Sequence, residues 1–212
     1  MKIISHRGYW LSNDEKNSLD AFHRSFDLGL GTETDVRDFN RELVISHDMA
    51  SGSELSLDDL LSLAEASKRK STLTLALNIK ADGLAHQLRS KLTGHSMLDC
   101  FVFDMSIPDM RSYLEVGIPV FTRMSEVETH PVWLERATGV WLDSFESDWF
   151  DVDLIKNLFF SGKRVCIVSP ELHYRDEQAV WSKIKPISSD RRLILCTDYP
   201  EQALDFFQLR KV

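Results

Sequence analysis

Short apolar runs alternate with stretches of helical periodicity along the whole chain. Eight of these runs read as strands: Lys2 to Ser5, Gly31 to Val36, Thr74 to Asn78, Cys100 to Phe103, Pro119 to Thr122, Gly139 to Leu142, Arg164 to Val168 and Leu193 to Cys196. Between them, apolar residues recur three and four apart, which places them on one helix face. Examples are Leu19, Phe22 and Phe26; Leu57, Leu60, Leu61 and Ala64; Leu84, Leu88 and Leu92; Val152, Ile155 and Phe159; and Ala203, Leu204 and Phe207. Ser56, Asp82 and Asp151 suit helix caps, Pro108 and Pro200 suit first turns, and Gly29 and Gly162 suit the left-handed residue that ends a helix. The connection after Pro131 has the weakest helical pattern. Short strands joined by crossover helices pair in parallel, and eight such units close most naturally into a (β/α)8 TIM barrel, here a single domain over residues 1–212. A turn at Asp38-Phe39-Asn40-Arg41 and a run from Glu42 to Ile45 add a small extra strand after the second barrel strand, leading the chain to His47.

Composition narrows what such a barrel can do. At 212 residues the chain is near the lower limit of about 200 for this architecture, so insertions must be few. A formal net charge of −8 with no dense run of Lys and Arg argues against nucleic acid as a partner and against attachment to anionic lipid. Any phosphate site therefore needs a local cation, from a metal or from placed Arg and Lys side chains. Cys100, Cys166 and Cys196 lie in apolar runs without metal-site spacing and read as buried, reduced thiols. No long apolar segment and no secretory leader opens the chain, so the expectation is no stable membrane insertion and a cytoplasmic address.

Catalytic groups of this architecture sit at the C-terminal strand ends and the loops that follow. The strand ends here supply Ser5-His6-Arg7-Gly8, Glu33 and Asp35, His47-Asp48, Asn78 and Lys80, Asp104, Thr122-Arg123, Asp143, Glu171 and His173, and Thr197-Asp198. Glu33 and Asp35 are two apart on one strand, so both point to the same face. Two adjacent carboxylates need compensation, either from a hard divalent ion such as Mg²⁺ or Ca²⁺ or from salt bridges to Arg7 and Lys80. His6 and His47 exchange protons near neutral pH, which suits an acid and base pair at phosphorus, although a lone histidine at a strand end is usually a structural hydrogen-bonder. Arg7 can bridge two phosphate oxygens, and Gly8 allows close backbone approach. The segment from Ser169 to Arg175 brings Glu171 and His173 together on what reads as a mobile substrate-recognition loop, with Arg123 and Asp143 of similar standing. Trp10 reads as a stacking wall or a core residue, and His23, His86, His95 and His130 read as solvent-facing.

Five segments carry a family resemblance: His6-Arg7-Gly8, Asn17-Ser18-Leu19-Asp20-Ala21-Phe22, Glu33-Thr34-Asp35-Val36-Arg37-Asp38, Val44-Ile45-Ser46-His47-Asp48, and Thr197-Asp198-Tyr199-Pro200. In order and spacing they resemble the glycerophosphodiester phosphodiesterases, within the phosphatidylinositol-phospholipase-C-like phosphodiesterases, and they span nearly the whole chain. The resemblance implies a TIM barrel, a divalent cation held by Glu33 and Asp35, His6 and His47 as acid and base, and Arg7 at the phosphate. The family's Pro-Glu-Asn appears here as Glu15-Lys16-Asn17. Where the family has a third carboxylate followed two residues later by lysine, this chain has Asn78 and then Lys80. An amide oxygen still ligates Mg²⁺ or Ca²⁺ but brings no charge, so metal affinity should fall.

The expected activity is metal-assisted hydrolysis of a glycerophosphodiester-like, sugar-phosphate or lipid-headgroup phosphodiester. Glu33, Asp35 and Asn78 would be at the metal, and Arg7, Lys80, Arg123, Glu171 and His173 at the substrate. Two alternatives share these residues: a non-hydrolytic binder of phosphorylated glycans, and a sugar-phosphate isomerase or lyase.

Overall fold

A computed structural model describes residues 1–67 and 72–209. Two compact units are distinguished, one of residues 5–120 and one of residues 1–4 with 121–212. β1 (Lys2–His6) runs from the second unit into the first.

The 5–120 unit then continues through α1 (Leu19–Asp27), β2 (Gly31–Phe39), β3 (Glu42–Ile45), α2 (Leu57–Ala66), β4 (Thr74–Ile79), α3 (Ala85–Thr93), β5 (Asp99–Phe103) and α4 (Ile107–Glu115). β2 pairs in parallel with β4, placing Asp35 opposite Asn78, and β4 pairs in parallel with β5. β4 is buried along its whole length, which explains its unbroken run of Leu75, Ala76 and Leu77. β3 folds back antiparallel on β2 with Val36 opposite Ile45, as the turn chemistry at Asn40 and Arg41 predicts. Gly31 lies so close to β4 that a Cβ there would be 2.0 Å from the Thr74 carbonyl oxygen, so only glycine permits this pairing. Ser18, Ser56 and Ser106 each accept a hydrogen bond from the backbone N–H three residues on, capping α1, α2 and α4. Asp82 does not cap α3. Gly83 takes a left-handed φ of 85°, so the helix starts later, after Leu84, with no side-chain cap.

The 121–212 unit contains β6 (Phe121–Met124), β7 (Gly139–Leu142), α5 (Val152–Phe160), β8 (Arg164–Val168), α6 (Gln178–Ile184), β9 (Leu193–Thr197) and α7 (Pro200–Phe206). β6, β7, β8 and β9 pair in parallel in that order. Asp151 caps α5 by accepting from Leu154 N, and Gly162 follows that helix with a φ of 78°. Among the described residues no helix joins β6 to β7. Trp133, at a φ of 52°, closes a turn in which its carbonyl accepts from Arg136 and Ala137. The weak helical pattern after Pro131 reflects this turn. Trp181 packs on Phe206 and Phe207 and donates from Nε1 to Ser169 Oγ, tying α6 to the segment that leaves β8.

Eight parallel strands with intervening helices, and β3 as the added strand, make this the (β/α)8 TIM-barrel fold. The three cysteines are free thiols; Cys166 and Cys196 are buried, while Cys100 is only partly so. Among the described residues no helix is long and apolar enough to cross a membrane.

Candidate active site

The His6-Arg7-Gly8 segment forms a sharp turn at the end of β1. Arg7 and Gly8 adopt left-handed φ values of 58° and 83°, and a Cβ on Gly8 would be 2.7 Å from the Ala21 side chain. Arg7 N donates to the Glu33 carbonyl and Gly8 N to Thr32 Oγ1, which fixes this turn against β2. Glu33 and Asp35 share one face of β2, at 2% and 0% exposure. Arg7 Nε lies 2.9 Å from Asp35 Oδ2, and Lys80 Nζ lies 3.3 Å from Asp35 Oδ1. His6 Nε2 is 3.9 Å from Glu33 Oε2.

The salt-bridge alternative thus accounts for Asp35 but not for Glu33. Burial, reinforced by the negative charge of Asp35, pushes the Glu33 carboxyl well above the usual carboxylate range, against the opposing pull of Arg7, Lys80 and a hydrogen bond from Asn78. Glu33 Oε2 and Asn78 Oδ1 are buried without a hydrogen-bond partner, and Asp35 Oδ1, also buried, is faced only by the Lys80 ammonium. These oxygens belong to the three residues that the sequence points to as cation ligands. A hard cation would satisfy all three, so the residues fit such an ion. Among the described residues no group of three or more His, Cys, Asp and Glu side chains could hold a metal.

β3 returns the chain to the same end of β2. Ser46 N donates to the Asp35 carbonyl, and His47 follows directly, about half exposed, with Nδ1 2.9 Å from Asp48 Oδ1. The structure also shows a contact that sequence reasoning missed. Asn17, at a left-handed φ of 61°, donates from Nδ2 to Asp35 Oδ2, accepts from Thr34 Oγ1, and donates its backbone N–H to the Arg7 carbonyl. It therefore locks Arg7 and Asp35 together. Trp10 is partly exposed rather than a core residue; its Nε1 donates to the His6 carbonyl, and Lys16 lies 4.4 Å above its ring. Of the four other histidines, His95 departs from expectation, being partly buried and 3.0 Å from Glu65.

The 121–212 unit holds the remaining candidates. Glu171 is 8% exposed, and its Oε1 accepts from Thr197 Oγ1 and from Asp198 N. His173 Nε2 lies 2.7 Å from Asp143 Oδ1. The expected mobile loop is instead a short 3-10 helix, Pro170–His173, pinned through both of these side chains. Arg123 is exposed and lies 2.9 Å from Glu128, so its charge is engaged on its own strand and turn. A cavity of about 450 Å³ in this unit is lined by Lys156, Phe159, Ile187 and Arg192 among others, at the N-terminal side of β9. It is therefore at the opposite end of that strand from Thr197, and its Asp190 is paired with Arg192.

No family model matches the chain, and no curated protein is similar to it. Among solved structures, the chain is similar to a glycerophosphodiester phosphodiesterase from Agrobacterium tumefaciens, at 14% identity and a TM-score of 0.70, over 98% of this chain and 99% of that one. It is also similar to a glycerophosphodiester phosphodiesterase from Thermotoga maritima, at 17% identity and a TM-score of 0.62, over 98% of this chain and 97% of that one. At such identities the likeness is one of fold, and it extends over the whole barrel.

Proposed function

We propose that the chain is a metal-assisted phosphodiester hydrolase acting on a glycerophosphodiester-like, sugar-phosphate or lipid-headgroup diester. The observation that carries this reading is the pair of buried oxygens without partners on Glu33 and Asn78, beside the buried Asp35 carboxylate. Fold likeness to two glycerophosphodiester phosphodiesterases supports it.

Glu33, Asp35 and Asn78 would hold Mg²⁺ or Ca²⁺. Once bound, such an ion polarises a phosphoryl oxygen and offsets the charge that develops at phosphorus. The chain's own residues supply the rest. Arg7 is oriented by Asp35 and Asn17 and presents guanidinium donors for phosphate oxygens, while Lys80 adds a second positive charge beside Asp35. His6, set beside Glu33, and His47, set at the end of β3, would divide the proton work: one takes the proton of the attacking hydroxyl, the other protonates the leaving oxygen.

A panel of phosphodiesters followed by phosphorus NMR tests this reading. Phosphomonoester should accumulate with Mg²⁺ or Ca²⁺ and stop with chelator; turnover indifferent to chelator would contradict it. The capture of Asp35 by Arg7 and Lys80, with an amide at position 78, favours a second reading as a non-hydrolytic binder of phosphorylated glycans. In that case the same spectra would show ligand broadening without product.

A further inference from the structure

Beyond the oxygens of Glu33, Asp35 and Asn78, β2 and β4 carry one more rung of charge. Their parallel register sets Glu33 level with Ala76, Asp35 with Asn78 and Val36 with Ile79, and Lys80 N donates to the Val36 carbonyl. The next step brings Arg37 level with Lys80. The pairing with β3 continues through Arg37 opposite Val44 in unbroken register, so Arg37 shares the face of Glu33 and Asp35, a rung of roughly 6.6 Å beyond Asp35. The two cations of this rung are used differently. Lys80 turns back to Asp35 Oδ1, at 3.3 Å. Arg37 donates from Nη2 to the Lys80 carbonyl at 3.0 Å, while its Nε is buried without a partner. Among the described residues Arg37 forms no ion pair.

A buried guanidinium N–H without an acceptor is costly, and the side chain as a whole is only partly buried, so a group arriving from solvent can meet it. Asp48, at the end of the returning segment, is not that group. Its carboxyl is held below the usual carboxylate range chiefly by His47, with smaller pulls from Arg7 and Arg37, and its Oδ1 is taken by His47 Nδ1. The scissile phosphate belongs one rung lower, beside Asp35, Asn78 and Arg7. A neutral hydroxyl would leave the guanidinium charge unanswered, whereas a carboxylate or phosphate offers paired oxygens that match the planar fork. We infer that Arg37 recognises a second anionic group, a carboxylate or phosphate carried by one alcohol of the diester. The inference rests on the reading of Glu33, Asp35 and Asn78 as the seat of the ion and the scissile phosphate.

Non-hydrolysable phosphonate analogues separate recognition from turnover. Three would share a glyceryl end and differ at the second alcohol, which ends in a hydroxyl, a carboxylate or a phosphate monoester. Each is titrated calorimetrically into the full chain with Mg²⁺. At least one anionic analogue is expected to bind about tenfold tighter than the hydroxyl analogue, as a charge-assisted pair provides. Arg37→Gln, which keeps a donor for the Lys80 carbonyl, should cut that preference to below about twofold and leave the hydroxyl analogue's affinity within about twofold. Arg37→Lys should keep part of the preference, because it retains the charge but loses the fork. The two anionic arms tell carboxylate from phosphate. No anionic preference in the wild type, a preference that survives Arg37→Gln, or an equal loss for all three analogues in that variant would overturn the inference. Hydrolysis fails separately: cleavable diesters that yield no phosphomonoester, with the anionic preference intact, would remove turnover and leave the role of Arg37 standing.

Discussion

Glu33→Gln is expected to lower metal-dependent kcat by roughly three orders of magnitude, because removing a charged ligand forfeits several kcal/mol of charge stabilisation at phosphorus. The same substitution should stabilise the metal-free protein at neutral pH. Burial and the Asp35 charge raise the Glu33 pKa in the folded state above its ordinary value of 4.5, so the folded chain binds more protons than the unfolded one as pH rises past that value. Metal-free stability therefore falls with rising pH, and a neutral amide of the same shape removes that contribution. Divalent cation should raise the melting temperature of the wild type and leave that of Glu33→Gln unchanged, since only binding to the folded state stabilises it. Calorimetric scans with and without Mg²⁺ at two pH values check both signs. An equal cation response in the two proteins would remove Glu33 from the ion's coordination.

The second large effect concerns the histidines. His6→Ala and His47→Ala should each reduce turnover of an unactivated alkyl diester about 10²–10⁴-fold, the range expected for loss of a positioned proton-transfer group. His47 is about half exposed and touches the exposed Asp48, so its removal should change stability by less than about 0.5 kcal/mol. The loss of rate would then be chemical rather than structural. A diester with a p-nitrophenolate leaving group needs no proton on departure. The variant lacking the general acid should recover most of its rate on that substrate, while the variant lacking the base should not. Near-wild-type turnover of the alkyl diester by both variants would contradict the proton-transfer roles.

Much of the fold was legible because strand and helix periods differ and strands such as β4 and β9 are buried along their whole length. Glu33 and Asp35 could be paired from sequence because residues two apart on a strand must share a face, and the short return strand could be read from its turn residues. The clamp by Asn17 was not legible, since it depends on how the loop after β1 folds over β2. Glu171 was misleading in a different way. The segment from Ser169 to Arg175 reads as a mobile recognition loop, but Glu171 is buried and held by Thr197, 26 residues further along the chain. The failure at Asp82 came from one glycine in a left-handed conformation, which moved the helix start beyond the reach of its expected cap.

The most direct measurement is anomalous diffraction from crystals grown with Mn²⁺ and a phosphate analogue, because Mn²⁺ accepts the same oxygen ligands as Mg²⁺ and can be located unambiguously. An anomalous peak is expected among Glu33 Oε2, Asp35 Oδ1 and Asn78 Oδ1, and it should disappear in Glu33→Gln. A phosphate analogue bound with no ion at these three oxygens, and Asp35 still held by Arg7 and Lys80, would contradict it.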